Sequence, residues 1–166
     1  MNKSWIFTRL TALGFAAGVA ISGAYLIAPN EGEVLGTYLD PVGIVTSCYG
    51  HTGPELKLGR KFTRDECLNQ LAADLHKHNA EMMKFVTVPI SEYQHAAILS
   101  FCYNVGVSAC SKSTLFKKLN NFDYPGACAE LSKWVYAQGK KFKGLVRRRA
   151  EEYKICMGSM PEGFPQ

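Results

Sequence analysis

The hydrophobic and polar positions change period twice along the chain. From Leu10 to Ala28, nineteen residues pass without a charge. As one helix this run would measure about 28 Å, close to the hydrocarbon thickness of a bilayer. Lys3 and Arg9 precede it, and Glu31 and Glu33 follow. The positive-inside rule therefore puts the N-terminus in the cytoplasm and the remainder outside. The run is only weakly apolar: Leu10, Leu13, Phe15, Val19, Ile21, Leu26 and Ile27 are strong, while ten others are Gly, Ala or Ser. Insertion then gains only about 2–4 kcal/mol. A cleaved signal peptide, a permanent anchor and an anchor that can leave the bilayer are the three readings, and the small residues speak against the permanent one. Leu in place of Gly14, Gly18 and Gly23 is expected to strengthen insertion by roughly 1–2 kcal/mol.

After Glu31 the pattern shortens to that of strands. "YLDPVGIVTSCYG" reads as a β-hairpin, with Asp40, Pro41 and Gly43 at the positions that suit a type I turn. Beyond Lys61 the period becomes helical. Thr63–Glu66 and Ser91–Gln94 are capping boxes, the first opening a helix with Cys67, Leu68, Leu71 and Leu75 on one face, the second leading to Ala97, Ile98 and Phe101 and ending at Gly106. A short helix is predicted over Thr114–Leu119. Another starts near Pro125 and carries Leu131, Trp134 and Val135, and the last runs around Leu145–Met157. Pro29 argues for a helix that stops near Ile27, with Glu31 on its own turn. The sum is an α+β fold, with a hydrophobic segment over 1–28 and one folded domain over 29–166.

Charge adds one feature. The net charge is +5, and from Lys133 to Arg149 seven basic residues occur with no acidic one. Such a stretch suits a polyanion such as nucleic acid, anionic lipid or the acidic peptides of a cell wall; the plainer reading is a solvated helix face. All six cysteines lie after the hydrophobic run, which points to disulfides in an oxidising compartment. Spacing leaves their connectivity open, but Cys102 and Cys110, either side of a Gly-containing turn, are the one close pair.

Candidate chemistry is sparse. No HExxH motif occurs, and His76 and His78 point apart on a helix, so a catalytic metal is not expected. No G-x-S-x-G elbow occurs either. Two carboxylates on separate elements remain. Glu31 leaves the hydrophobic run, Asp40 starts a turn nine positions on, and Thr46 follows on the return strand. Paired carboxylates are what glycoside hydrolysis uses, one to protonate the leaving oxygen and one to direct a water or attack directly. The spacing alone is common by chance, and a loop carboxylate beside a turn-initiating Asp is the plain alternative.

"EG", "YLDPVGIVT" and "CYGHTG" closely resemble the active-site segment of phage-type lysozymes, glycoside hydrolase family 24; "FTRDEC", "FCYNVG", "STLFKKLN" and "CAELSKWVYAQGKKFKGLVRRRAEE" extend the likeness from about Leu26 to Met157. The resemblance implies a two-lobed lysozyme-like fold with a small sheet lobe and a larger helical lobe. It implies a muramidase cutting the β-1,4 bond between N-acetylmuramic acid and N-acetylglucosamine, with no cofactor. The family pattern falls on Glu31 as general acid, in preference to its neighbour Glu33, and on Asp40 and Thr46 as holders of the attacking water, with inversion. His51, Asn104 and Arg147 are candidate substrate contacts. The N-terminal segment resembles the signal-anchor-release type of lambdoid phage endolysins. It implies a chain held in the host inner membrane through residues 10–28, with its catalytic part in the periplasm, then released. Partners are then peptidoglycan glycan strands and that membrane, not nucleic acid, and the chain acts as a monomer. Some members of that type are controlled by thiol exchange; residues 1–47 contain no cysteine, so control through the position of Glu31 is expected instead. A lytic transglycosylase, or a tethered wall-binding protein without catalysis, are the alternatives.

Overall fold

Helix α1, Lys3–Ala12, opens on Asn2, whose side chain accepts a hydrogen bond from the Trp5 amide at 3.0 Å. It closes on Gly14, whose φ of +86° and N–H bond to the Thr11 carbonyl, together with the Phe15 bond to Leu10, form a Schellman stop. The apolar run is thus broken near its start rather than forming one long rod. It resumes as α2, Ala17–Ile21, widens into a π-helical stretch, Ser22–Ile27, and ends as α3, Ala28–Glu31. The computed structural model describes residues 2–40, 43–161, 163 and 164. Among these, no helix is long and apolar enough to cross a membrane.

Pro29 does not stop the helix at Ile27, contrary to expectation. Proline has no N–H for the i→i−4 ladder, and its ring crowds the preceding turn. The π-helical turn just before it shifts the bonding to i→i−5, with the Ala28 N–H reaching the Gly23 carbonyl. The Asn30 side-chain amide then donates to the Leu26 carbonyl at 2.7 Å. Glu31 therefore rides at the end of a continuous helical course that begins at Ala17.

The strands are β1, Val34–Leu39, β2, Val45–Cys48, and β3, His51–Thr52, in a three-stranded antiparallel sheet in that order. Tyr38 faces Thr46 and Leu39 faces Val45 across β1 and β2. Pro41 and Val42, the centre of the predicted type I turn, lie outside the described residues. Its closing bond, Gly43 N–H to the Asp40 carbonyl, is present at 3.0 Å.

Both predicted capping boxes form, at the starts of α4, Arg64–Met83, and α5, Glu92–Val105. There follow α6, Val107–Ser111, α7, Thr114–Asn120, α8, Tyr124–Glu130, and α9, Lys143–Cys156. Leu131, Trp134 and Val135 fall outside α8, in a 3₁₀ turn and the strand approach that follows it. A two-stranded hairpin, β4 Tyr136–Ala137 with β5 Lys140–Lys141, turns through Gln138 and Gly139, both at positive φ; the periodicity did not reveal it. Disulfides join Cys48 to Cys67, Cys102 to Cys110 and Cys128 to Cys156. The first pins the sheet to α4, and the second is the close pair read from spacing.

Helix α5 is the axis of the molecule, buried on every side from Ala96 to Cys102. The N-terminal run packs directly on it. Ile6, Leu10, Val19, Ala24 and Ile27 share one core with Leu68, Leu71, Leu75 and Phe101. Two glycines make this approach close. A Cβ at Gly18 would lie 2.8 Å from the Glu92 carbonyl oxygen, and one at Gly23 would lie 2.7 and 2.8 Å from the methyl ends of Leu75 and Leu10. Behind the run, Phe164 stacks edge-on against Phe7 at 5.1 Å, and the Tyr25 hydroxyl donates to the Gly163 carbonyl. The small residues of the N-terminal run are therefore packing residues of the folded state.

Two tests follow from this packing. Ala in place of Gly in a helix ordinarily stabilises by about 1 kcal/mol. Gly18→Ala is nonetheless expected to destabilise the soluble form by roughly 1–3 kcal/mol, because backbone must move, whereas Gly23→Ala meets only movable methyls and costs less. Denaturant melts of the two variants distinguish them. The second test concerns His51 on β3, which ties the sheet to α4: Nδ1 lies 2.9 Å from Asp74 Oδ2 and Nε2 lies 2.7 Å from Glu55 Oε1. Burial alone would lower its pKa, but the hydrogen bonds and charges of Glu55 and Asp74 outweigh it and raise the imidazole above its ordinary 6.5. A raised folded pKa means the stabilisation is complete below about 6.5 and is lost as pH climbs through the raised value. At the acid end, Glu55, held below its ordinary value by the His51 hydrogen bond, gives up its share as it protonates. Thermal melts from acid to alkaline pH should show stability falling as pH rises past about 6.5, and His51→Asn should flatten that fall while costing about 1.5–3 kcal/mol below that pH.

Candidate active site

Glu31 is the last residue of α3, and Gly32 at φ +80° turns the chain away into β1. Its carboxylate meets Arg148 of α9, whose Nη1 donates to Oε1 at 2.7 Å. Gly50, at φ +80° between β2 and β3, comes so near that a Cβ there would stand 3.1 Å from Glu31 Oε2. A side chain at position 50 would displace the carboxylate.

Arg148 does not lie on a solvated helix face. It is 4% exposed and Arg149 1%, so two of the three consecutive arginines point inward. Glu152, with no exposed surface, accepts from Arg148 Nε at 3.2 Å and also from Arg149 Nη1. Ser100 on α5 donates to Glu152 at 2.7 Å, and its carbonyl accepts from Arg148. Arg149 further donates to Asn104 Oδ1 and to the Trp134 carbonyl, and it lies over the Phe101 ring. Two buried guanidiniums thus face two carboxylates, Glu152 and Glu31, so the cluster is neutral when all are ionised. Removing one partner would leave a buried charge uncompensated, at a cost of several kcal/mol. The i,i+4 and i,i+3 spacings of Arg148 and Arg149 to Glu152 were visible in "RRRAEE" as a helical charge pattern. Their burial was not.

A cavity of about 400 Å³ opens beside Glu31, lined by Asn30, Asn104, Ala137, Phe142, Leu145 and Arg147 among others. It brings together Glu31 and two of the three proposed contacts, Asn104 and Arg147. His51 is elsewhere, held between Glu55 and Asp74 on the sheet side. Asp40 and Thr46 also belong to the sheet side and do not line this cavity. The Asp40 N–H donates to the Ile44 carbonyl at 3.0 Å while Asp40 Oδ1 accepts from the Ile44 N–H at 2.8 Å, which fixes the carboxylate on its turn. The buried Thr46 hydroxyl donates to the Ile44 carbonyl at 3.1 Å. Tyr38 lies opposite Thr46 in the sheet. Its phenol is raised first by burial and then by the negative fields of both Glu31 and Asp40. Tyr103 on α5 is likewise raised by burial, then by Asp74 and Glu31. Tyr38 and Tyr103 were not among the residues singled out from sequence; aromatic positions next to "LDP" and "NVG" carried no signal of their own.

Glu33, two residues beyond Glu31, accepts from the Tyr49 hydroxyl at 3.0 Å and from Arg64 at 3.3 Å. It faces a separate hollow against α1 that includes Trp5 and Arg64. The two neighbouring carboxylates are thus directed to different parts of the molecule.

A family model described as phage lysozyme matches residues 28–152. The SAR-endolysin of Escherichia phage Mu is 45% identical over 118 residues, covering 71% of this chain and 68% of that protein. The SAR-endolysin of Enterobacteria phage P21 is 38% identical over 151 residues, covering 88% and 91%. Among solved structures, the endolysin from Escherichia coli O157:H7 phage FAHEc1 superposes with a TM-score of 0.75 at 29% identity, covering 90% of this chain and 94% of that one. With its sheet and helices arranged as in that solved endolysin, and a carboxylate held by a buried arginine beside a cavity, this chain belongs to the phage lysozyme family and is a glycoside hydrolase, an endolysin acting in host lysis.

Proposed function

We propose that this lysozyme cleaves the β-1,4 bond between N-acetylmuramic acid and N-acetylglucosamine with inversion, using Glu31 as general acid and Asp40 with Thr46 as holders of the nucleophilic water. The observation that carries the reading is the placement of Glu31: it lines the cavity from the end of α3, tethered by Arg148, while Asp40 is fixed on its turn on the sheet side and both carboxylates act on Tyr38. In the reaction the protonated Glu31 gives its proton to the leaving glycosidic oxygen. The water, oriented by Asp40 and the Thr46 hydroxyl, attacks the anomeric carbon from the opposite face and passes its proton to Asp40. Proton exchange with solvent restores both carboxyls. Arg148 acts as a positioning residue that orients the Glu31 side chain, and Asn104 and Arg147 offer hydrogen bonds to the sugar hydroxyls and carbonyls in the cavity.

We further propose that the run before Glu31 controls the enzyme. In the bilayer the segment would keep Glu31 away from Arg148 and Gly50, so the acid and its socket would be apart. Six large side chains of the segment, Ile6, Leu10, Val19, Ile21, Leu26 and Ile27, are buried in the folded state. At about 1.5–3 kcal/mol each their burial offers a gross gain well above the 2–4 kcal/mol of insertion. Departure from the membrane is therefore favoured once the field that holds the segment falls. The word SAR in the names of the Mu and P21 relatives is in keeping with this.

Glu31→Gln and Asp40→Asn should each reduce lysis of purified peptidoglycan by orders of magnitude; Asp40→Asn should leave the thermal melt of the soluble form close to that of the parent, whereas Glu31→Gln, which takes a carboxylate from the buried Arg148, should lower it while the protein still folds. Mass spectrometry of the parent's products should show free reducing ends; 1,6-anhydro ends would instead identify a transglycosylase. For release, Gly14, Gly18 and Gly23 are poor probes, since Leu at the last two would disturb the core and Gly14 sits at positive φ. Ala12 and Ala16 are exposed in the folded form. Leu at both should strengthen insertion by roughly 0.5 kcal/mol each without touching the core. Fractionation before and after depolarisation should then find more of the variant in the membrane; equal release of variant and parent would end the control model.

A further inference from the structure

Glu33 is a carboxylate that the cleavage chemistry leaves unused, and its side chain is only 17% exposed. The Tyr49 hydroxyl donates to Glu33 Oε1 at 3.0 Å, and Arg64 donates to Oε2 at 3.3 Å. These partners differ in kind. The Arg64 side chain is 64% exposed, so its ion pair contributes little. Tyr49 is buried, and burial followed by the Glu33 hydrogen bond raises its phenol above the ordinary 10, so it stays a donor near neutral pH. Tyr49 also stands between Cys48 and Gly50, at φ +54° and +80°, in the tight turn from β2 to β3. The Cys48–Cys67 disulfide ties that turn to α4, and Cys48 pairs with Val34, the residue after Glu33. Gly50 is the residue whose added Cβ would stand 3.1 Å from Glu31 Oε2. One turn of the sheet therefore meets both carboxylates, bonding Glu33 through the Tyr49 side chain and abutting Glu31 at Gly50.

We propose that Glu33 is a positioning residue for the reaction: bonded to the Tyr49 hydroxyl, it fixes the Glu31–Gly32–Glu33 link against Gly50 and so holds the Glu31 carboxylate in one place beside Arg148. The inference rests on the reading of Glu31 as the acid. Between the two carboxylates Gly32, at φ +80°, has no side chain to limit rotation of the backbone. Arg148 sets the direction of the Glu31 carboxylate, and Tyr49 sets the backbone from which it extends. With the Tyr49 bond gone, the link can swing at Gly32 and carry Glu31 off line from the sugar linkage. A displacement of about 1 Å at a reacting group is worth up to roughly 100-fold in rate.

The test measures kcat and KM separately on solubilised peptidoglycan strands, using the full-length chain in its soluble form, well below the melt of each variant. Tyr49→Phe keeps the ring in the core and removes only the hydroxyl. It should lower kcat about tenfold with KM within about twofold of the parent. Glu33→Ala should do the same, and the double variant should be no slower than either, because both changes remove one contact. Glu33→Gln, whose amide oxygen still accepts from the phenol, should recover most of the lost kcat. Arg64→Gln, which removes only the exposed ion pair, should match the parent in both constants. A parent-like kcat in Tyr49→Phe, a loss carried by KM, additive losses in the double variant, a Glu33→Gln as slow as Glu33→Ala, or an equal loss in Arg64→Gln would each overturn the positioning role and leave Glu31 as the acid. Loss by orders of magnitude in Glu33→Gln beside an active Glu31→Gln would instead make Glu33 the proton donor and remove the reading on which the inference rests.

Discussion

Glu31 and Arg148 are separated by 117 positions in the chain, yet a 2.7 Å ion pair joins them, and the layout of the active site depends on that contact. Arg148 is almost fully buried and is held from behind by Glu152 and Ser100, so it is a fixed socket rather than a mobile surface charge. Glu31 is the partner that the N-terminal run positions. It hangs at the end of a helical course whose own position depends on how Ala17–Ala28 packs against α5. The proposed acid is thus coupled to the fold through the most apolar part of the sequence.

That coupling explains why the N-terminal run looks ill-suited to either solvent. It is too rich in Gly and Ala to be held firmly by lipid, and too free of charge to remain in water. In the folded state the same composition becomes an asset. Gly18 admits the first turn of α5, Gly23 receives the methyls of Leu75 and Leu10, and the larger aliphatics fill the core around them. The widened π turn before Pro29 serves the same end, carrying the helix past a residue that would ordinarily end it and delivering Glu31 to the socket.

The two sides of the proposed site are built on different principles. On the sheet side, Asp40 and Thr46 are fixed by bonds to Ile44 within a short stretch of chain, so their geometry is local. On the helical side, Asn104, Arg147, Arg148 and Arg149 are arranged by long-range packing around α5 and α9. Disulfides reinforce both, with Cys48–Cys67 fastening the sheet to α4 and Cys128–Cys156 fastening α8 to the end of α9.

Sequence alone determined what short-range rules govern. The capping boxes at Thr63 and Ser91, the hairpin through Asp40 and Gly43, the Cys102–Cys110 pair and the chemical promise of Glu31 with Asp40 are all properties of residues a few positions apart, where dihedral preference and local hydrogen bonding decide the outcome. The β4–β5 hairpin escaped because two-residue strands bury nothing and leave no period. Tertiary structure alone decided the rest. The basic run "RRR" could not be divided by inspection into one cavity-lining and two inward arginines, since that depends on which face of α9 meets α5. His51 could not be assigned to Asp74 and Glu55 rather than to substrate, nor Glu33 to Tyr49 rather than to the cleft. A charged side chain takes its role from the partners brought to it, and here those partners come from distant segments whose approach is set by the filling of a common core.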